Sequence, residues 1–394
     1  MNRRTSALLS AGVISFAAVV QAEEKVSPLS TALASTTISG YVDTSAQWNL
    51  GTGNAYLPPY AFGGSSKADG FNLNVVQLTV AKPLEEGEWS AGYQVDLWFG
   101  PDANTLNTTS TGNNTSDMAI RQAYVALRTP VGNGIDWKVG VFDTIVGYEV
   151  LGSPNNPNFT RSYGFTIEPT THTGLQANYK VCDALSICAC VVDTFGPTIN
   201  ERANPPKAES YKGYMGSIAL TAPDSWGWAK GSSLTAAMVN GFNSALGDNQ
   251  SHYYVGSTLN TPVTGLKVGA CFDYADYHNQ PAGAANNQWV IGGYSSYQAT
   301  EKLSFHVRGE YFANDLSYGT EAKLWEVTAT IQYDLWKNVL SRLEYRWDHS
   351  GSGDAFGGTY NSGGPGTDAV YSAYAPTPTL KNANMILASI TYKF

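Results

Sequence analysis

Between Val339 and Asp348 the chain alternates two chemistries with a period of two. Ser341, Leu343, Tyr345 and Trp347 fall on one side, and Arg342, Glu344, Arg346 and Asp348 on the other. A helix would scatter both sets around its axis, whereas a strand sends successive side chains to opposite faces. An apolar row backed by a row of charges suits a strand standing between lipid and water. Phe305, Val307, Gly309 and Tyr311 repeat the pattern against His306, Arg308 and Glu310, and Trp325 to Tyr333 repeat it against Glu326, Thr328, Gln332 and Asp334. Earlier in the chain Trp89, Ala91, Tyr93, Val95 and Leu97 oppose Ser90, Gln94 and Asp96, while Leu175 to Val181 oppose Gln176, Asn178 and Lys180. In Met118 to Arg128 the parity puts Gln122 and Tyr124 inward and leaves Arg121 on the lipid side unless a bulge shifts it.

About 16 such segments fit between Thr37 and Phe394, a number at which a closed barrel leaves an aqueous interior. The connections point the same way. Pro83–Gly87, Thr129–Gly134, Asp183–Leu185, Thr261–Thr264, Thr300–Lys302 and Leu335–Lys337 are short, and Asp224–Gly231 is somewhat longer. Those between them are mostly long and rich in Gly, Asn, Ser and Pro: Gly51–Gly70, Pro101–Asp117, Asp143–Thr171, Gly196–Tyr211 and Ser350–Asn382. Membrane barrels have short turns at one rim and long loops at the other. The fold expected is therefore an all-β, transmembrane antiparallel barrel of about 16 strands, with strand boundaries between residues 212 and 297 the hardest to draw.

The two ends of the sequence agree with this reading. Arg3 and Arg4 precede an apolar run from Ala7 to Val20 and a small residue, Ala22, at the expected cleavage site. That is a signal peptide, 1–22, too short to span a bilayer as an anchor. A short segment, 23–36, then leads into the barrel, 37–394. At the other end Ile386, Ala388, Ile390, Tyr392 and Phe394 form an apolar row that ends on the terminal aromatic itself. Bacterial outer-membrane barrels close with such a strand, so Tyr392 and Phe394 are read as the signal for the barrel-assembly machinery. Charged residues make up 14% of the chain, against a usual ~25%, and aromatics 12%. The net charge of −9 becomes about −11 without Arg3 and Arg4, which gives no electrostatic reason to bind nucleic acid.

Other chemistries find little support. None of the five histidines lies in a Ser/His/Asp or zinc-protease pattern, so an enzyme is not expected. Cys182, Cys188, Cys190 and Cys271 suit an oxidising compartment. A cross-strand disulfide from Cys182 to Cys188 or Cys190 and free thiols stand as alternatives, while Cys-x-Cys without a nearby histidine is a poor metal signature. No metal or other cofactor is expected.

The long connection 143–171 carries Tyr148, Phe159, Tyr163 and Phe165 among its Pro and Asn residues. A loop packed against a wall would bury those rings, and long ordered loops are usually functional. Gly147-Tyr148-Glu149, Ser153-Pro154-Asn155-Asn156-Pro157-Asn158, Ser162-Tyr163 and His172-Thr173-Gly174 resemble the signature of the beta-barrel porins described as OmpL-like. The likeness extends loosely over most of the mature chain, including Arg121-Gln122-Ala123-Tyr124-Val125 and the terminal aromatic. It implies a bacterial outer-membrane channel for passive diffusion of small hydrophilic solutes, set among outer-membrane lipids and lipopolysaccharide. By analogy with general porins it further implies a trimer, and a third loop, Tyr148 to Glu168, that folds inward and narrows the pore.

On that reading Tyr148, Glu149, Arg161 and Glu168 line the constriction from the loop. Arg308, Glu310, Arg342, Glu344, Arg346 and Asp348 line it from the wall, with acidic and basic rows facing across the lumen or simply solvated there. A solute-selective channel, for example for carbohydrates, is the alternative, with an outer-membrane adhesin or enzyme less favoured. Tyr41, Trp98, Tyr124 and Phe312 point inward by parity and would form an aromatic track or pack beneath loops.

Overall fold

The protein, seen in a computed structural model, is described at residues 35–51, 53–109, 116–278, 285–316, 322–358 and 377–394. The expected signal peptide, 1–22, and residues 23–34 lie outside the described residues. The chain runs through β1 (Thr37–Leu50), β2 (Gly70–Lys82), β3 (Ser90–Phe99), helix α1 (Pro101–Leu106), β4 (Met118–Thr129) and β5 (Ile135–Asp143). Helix α2 (Tyr163–Ile167) follows, then β6 (Thr171–Cys182), β7 (Leu185–Val192), β8 (Gly213–Thr221), β9 (Ser233–Asn243) and β10 (Asp248–Asn260). The last strands are β11 (Leu266–Tyr277), β12 (Ala285–Gln298), β13 (Leu303–Leu316), β14 (Ala322–Trp336), β15 (Val339–Ser350) and β16 (Asn382–Lys393).

Each strand pairs antiparallel with its sequence neighbours, and β16 returns to β1, so the sixteen strands close into one barrel. At the seam Tyr41 faces Lys393 and Leu50 faces Asn384. Closure satisfies every edge, which lipid demands because it offers no hydrogen bonds to an open strand. Gly40 and Phe394 exchange backbone hydrogen bonds of 2.9 and 3.0 Å across this seam. A Cβ on Gly40 would stand 2.0 Å from the Gln77 carbonyl oxygen and 2.8 Å from the Phe394 ring, so only glycine fits there.

The alternation read from sequence is the two surfaces of this wall. Leu343, Tyr345, Val307, Val327 and Ile390 are exposed outward, whereas Arg308, Glu326, Glu344, Arg346 and Asp348 are buried inward. Aromatic residues gather at both outer rims, as bilayer interfaces favour. Trp289, Tyr311 and Trp325 form a ladder with ring centroids 5.3 and 4.4 Å apart. Tyr297, Tyr333, Trp336, Tyr392 and Phe394 are exposed at the opposite strand ends.

The seven turn-side connections join the strands the sequence paired, though β14 runs on through Leu335 and Trp336 and the connection around 224–231 spans 222–232. At the other rim the long-loop pattern is incomplete, because only residues 244–247 join β9 to β10. Gly247, at φ 69°, completes that turn, with its N–H and that of Leu246 donating to the Asn243 carbonyl. Arg121 also finds its place. The β3–β4 register steps from Asp96↔Gln122 to Leu97↔Ile120, leaving Arg121 as the extra residue of a bulge. The bulge turns it inward, and its guanidinium pairs with Asp143 and donates to Gln77 at 3.0 Å.

Candidate functional site

The connection between β5 and β6 spans the interior of the barrel. Its neck is closed by register pairs Asp143↔Thr171 and Phe142↔His172, and by Thr144 N–H donating to the Thr170 carbonyl at 2.9 Å. From there Ile145 and Val146 pack on Cys188, Cys190, Val192, Met215, Val239 and Tyr254, so apolar contacts bury the loop's first turn. Tyr148 continues across the lumen to stack on Tyr294, with ring centroids 3.9 Å apart, and accepts from Thr258. The loop then reaches β13, β14 and β15. In a ring of sixteen, β13 lies diametrically opposite β5.

Its shape comes from its own polar side chains. Gly147 takes φ 111°, and a Cβ there would stand 2.3 Å from a Glu168 carboxyl oxygen. The Asn156 side chain acts as a strand partner for Val150: its Oδ1 accepts from Val150 N–H at 2.8 Å and its Nδ2 donates to the Val150 carbonyl at 2.7 Å. Ser153–Asn155 forms a 3-10 turn with Pro154 at its start. Ser162 caps α2 by accepting from Phe165 N–H at 2.9 Å. His172, Thr173 and Gly174 belong to β6 rather than the loop. His172 is wholly buried with Nε2 3.2 Å from Thr144 Oγ1. A Cβ on Gly174 would stand 2.2 Å from the Val191 carbonyl oxygen, so close strand packing requires this glycine.

The wall holds the loop largely by its backbone. Glu344 accepts from Phe159 N–H at 2.6 Å and from Thr160 N–H and hydroxyl at 2.9 and 2.6 Å. Glu310 accepts from Tyr163 and Gly164 N–H at 2.7 and 3.2 Å. Arg342 donates to the Ser153 and Asn156 carbonyls at 3.0 and 2.7 Å, and Arg346 to the Arg161 carbonyl at 2.7 Å. Arg308 donates to the Thr160 carbonyl and to Glu149, both at 2.7 Å, while Glu326 holds its other edge at 3.1 Å. Asp348 accepts from the Tyr163 hydroxyl at 2.6 Å and pairs with Arg346 at 2.8 Å. Asn158 donates to Thr330 at 2.7 Å. Such bonds to ionised groups are roughly twice as strong as neutral ones, and buried charge is stable only when paired like this.

Several sequence expectations change in detail. The six wall charges do not face an opposing row across open water, because the loop's backbone occupies that space and uses them. Arg161 is not an exposed rim charge. Its guanidinium lies 5.5 Å from the Phe62 ring centroid and 5.3 Å from that of Phe165, and donates to the Leu151 and Phe159 carbonyls. Glu168 is half-buried, and burial together with the carboxyl of Asp273 beside it raises its pKa well above the ordinary carboxylate range. Tyr41, Trp98 and Phe312 are buried under loops and leave only Tyr124 half-buried toward the lumen.

No disulfide joins Cys182 to Cys188 or Cys190, and all four cysteines are free. Cys182 pairs with Leu185 in the ladder while Cys188 pairs with Asn178, four residues or about 13 Å along the strand. That is far beyond the reach of a disulfide.

Sequence reasoning put Glu326 on the inward face without assigning it to the site, and missed Asn156 as a strand surrogate and Tyr60 of the first loop. Tyr60 lies against the Arg346 guanidinium at 4.1 Å. Glu326 shares the inward parity of Glu310 and could have been assigned with it; nothing local in sequence signals that Tyr60 meets Arg346.

Accessible inward side chains, including Gln94, Tyr124, Asp136, Lys138, Asn178 and His306, cluster toward the short turns, below the buried layer formed with the loop. The barrel is thus a vestibule on the turn side, narrowed by a loop that crosses it.

Solved structures share this architecture. The outer membrane channel DcaP of Acinetobacter baumannii is 13% identical, with TM-score 0.57, 91% of this chain and 97% of that one covered. Salmonella typhi OmpF, in complex with daunomycin, is 15% identical, with TM-score 0.59 and the same coverages. The anion-selective porin from Comamonas acidovorans is 12% identical, with TM-score 0.58, 91% and 99% covered. At these identities the likeness is one of fold. No curated protein matches the sequence. The family described as "Putative beta-barrel porin-2, OmpL-like" matches residues 35–391, the whole wall from β1 into β16 and the crossing loop with it. A closed sixteen-strand wall, greasy outside and charged within, indicates a channel rather than an enzyme scaffold, and the chain belongs to the OmpL-like beta-barrel porins of the outer membrane.

Proposed function

We propose that this porin conducts small hydrophilic solutes by passive diffusion, and that residues 144–170 set its constriction. The observation that carries this reading is the span of the loop from β5 to the opposite wall, where Glu310, Arg342, Glu344 and Arg346 bind its backbone. A loop held by its main chain at several points keeps a fixed cross-section, and size with local charge then decides what passes. Tyr148, Glu149, Arg161 and Glu168 act as structural members of this constriction, and the wall charges as its anchors. A catalytic role has no support in the buried pairing of these groups.

The same reading includes export by cleavage after Ala22, a homotrimer among outer-membrane lipids and lipopolysaccharide, and recognition of Tyr392 and Phe394 by the barrel-assembly machinery. A selective carbohydrate track is less favoured, since three of its four rings are covered. Planar-bilayer recording of the detergent-purified mature protein tests the proposal. Stepwise ohmic conductance is expected, unblocked by added sugars. Absence of steps would overturn the channel reading, and saturable sugar block would replace it with a selective one.

A further inference from the structure

The arginines of the lumen are all committed. Arg121 pairs with Asp143, Arg128 with Asp136 at 2.7 Å, Arg308 with Glu149, and Arg346 with Asp348. Arg161 and Arg342 donate to loop carbonyls. Lys138 differs. Among the described residues it has no carboxylate within ion-pair reach and no hydrogen-bond partner, and its ammonium lies 4.7 Å from the Tyr124 ring centroid.

Of the groups whose field reaches it, Asp143 first and then Cys188, Cys190 and Asp96, both carboxylates are already engaged. Asp96 accepts from Thr79, Gln94 and Gln122 at 2.7–2.9 Å, and Asp143 holds Arg121. Asp136, two residues away on the same face, is neutralised by Arg128.

Its position gives the charge a use. Lys138 is half-buried and inward on β5, four residues before the wholly buried Phe142, hence about 13 Å toward the turn side of the loop's neck. Ladder register sets Gln176 beside it on β6, with Cys190 next on β7. Gln176 is wholly buried and donates its Nε2 to the Cys188 sulfur at 3.2 Å, and Cys188 and Cys190 place their sulfurs 3.7 Å apart, so this side of Lys138 brings no carboxylate to it. A half-desolvated cation with no fixed counter-charge is stabilised by a mobile anion.

We propose that Lys138 forms a subsite for small inorganic or carboxylate anions in the turn-side vestibule. This rests on the channel reading above and gives that channel a preference for anions despite the chain's net charge of −9. Overall charge does not by itself govern selectivity, because Arg121, Arg128, Arg308 and Arg346 each offset a lumen acid.

The test is the reversal potential of single channels in a KCl gradient, for the wild type and for K138R, K138Q and K138E. Wild type and K138R are expected to favour chloride. K138Q should lower the chloride-to-potassium permeability ratio at least about twofold, and K138E should invert it. A cation-preferring wild type overturns the subsite without any variant, and so does an unchanged ratio in conducting K138Q and K138E. A wild type without conductance would instead refute the channel reading itself.

Discussion

Arg308 and Glu149, 159 residues apart in sequence, meet at 2.7 Å with both side chains wholly buried. The contact joins β13 to a loop that leaves the barrel wall on the far side. Arg308 also holds Glu326 and the Thr160 carbonyl, so one guanidinium ties two strands and the loop. Removing one partner of a buried pair typically costs about 3–5 kcal/mol, because the other charge is stranded. The barrel ladder does not depend on this pair, so the loss should fall on docking of the loop. R308A is expected to fold and to show larger, noisier single-channel conductance, with faster proteolysis between residues 149 and 168. Conductance indistinguishable from wild type would mean that the loop is held without the pair.

Glu344 offers a graded version of the same test. It accepts two backbone N–H groups and the Thr160 and Thr330 hydroxyls. Hydrogen bonds to a charged group contribute about 1.5–3 kcal/mol each. E344Q keeps the shape and loses the charge, so its conductance should lie between wild type and E344A. Equal effects of the two substitutions would show that shape alone matters.

The docked loop should also loosen as pH rises. Glu168 titrates well above the ordinary carboxylate range when docked, because of burial and the adjacent Asp273, with Glu149 and Glu310 adding further negative field. Arg308 offsets part of that field through Glu149. A raised carboxyl pKa means that the docked state holds a proton the free loop releases. Its contribution is complete below the ordinary carboxylate pKa, near 4.3, and declines as pH climbs from there toward the raised value. Conductance recorded from pH 4 to pH 9 should rise with pH in the wild type and stay flat in E168Q. A flat wild-type profile would contradict the assignment.

How much of this could be read from the residues depends on the range of the forces. Parity along β13, β14 and β15 is local, so the inward rows of Arg308, Glu326 and Arg346 were legible, as were the short turns, each bounded by two alternating runs. Arg121 was not assignable, since a bulge depends on the partner strand. The loop motif signalled order through Asn156 and Gly147 but not its destination. That Glu344 receives the N–H groups of Phe159 and Thr160 is a contact across the barrel, and the sequence read the same glutamate as a pore-facing charge. The cysteine spacing suggested a bridge that the ladder register forbids.

That register makes its own prediction about the thiols. Cys182 is exposed, whereas Cys188, Cys190 and Cys271 are buried in the layer beneath the loop. A maleimide reagent applied to the folded protein should modify Cys182 rapidly and the other three only after unfolding. Electrophoretic mobility without reductant should match that with it. Rapid labelling of all four thiols would show that the interior layer is wet and the loop undocked.

Closure of the barrel makes the last prediction, at Gly40 and the terminal Phe394. Their paired backbone hydrogen bonds fasten the two ends of the wall, and the ring of Phe394 occupies the space a Gly40 side chain would need. The Gln77 carbonyl, 2.0 Å from a modest Cβ, belongs to the β1–β2 ladder and cannot move without breaking it. G40V should therefore block seam formation while leaving the hairpins able to form, since their pairing is local. Two readouts separate this from general instability: the compact form on unheated gels should be lost, and F394A should lose it less, because it removes a ring but keeps the backbone pair. A G40V protein that retains the compact form and its conductance would show that the seam tolerates displacement of Phe394.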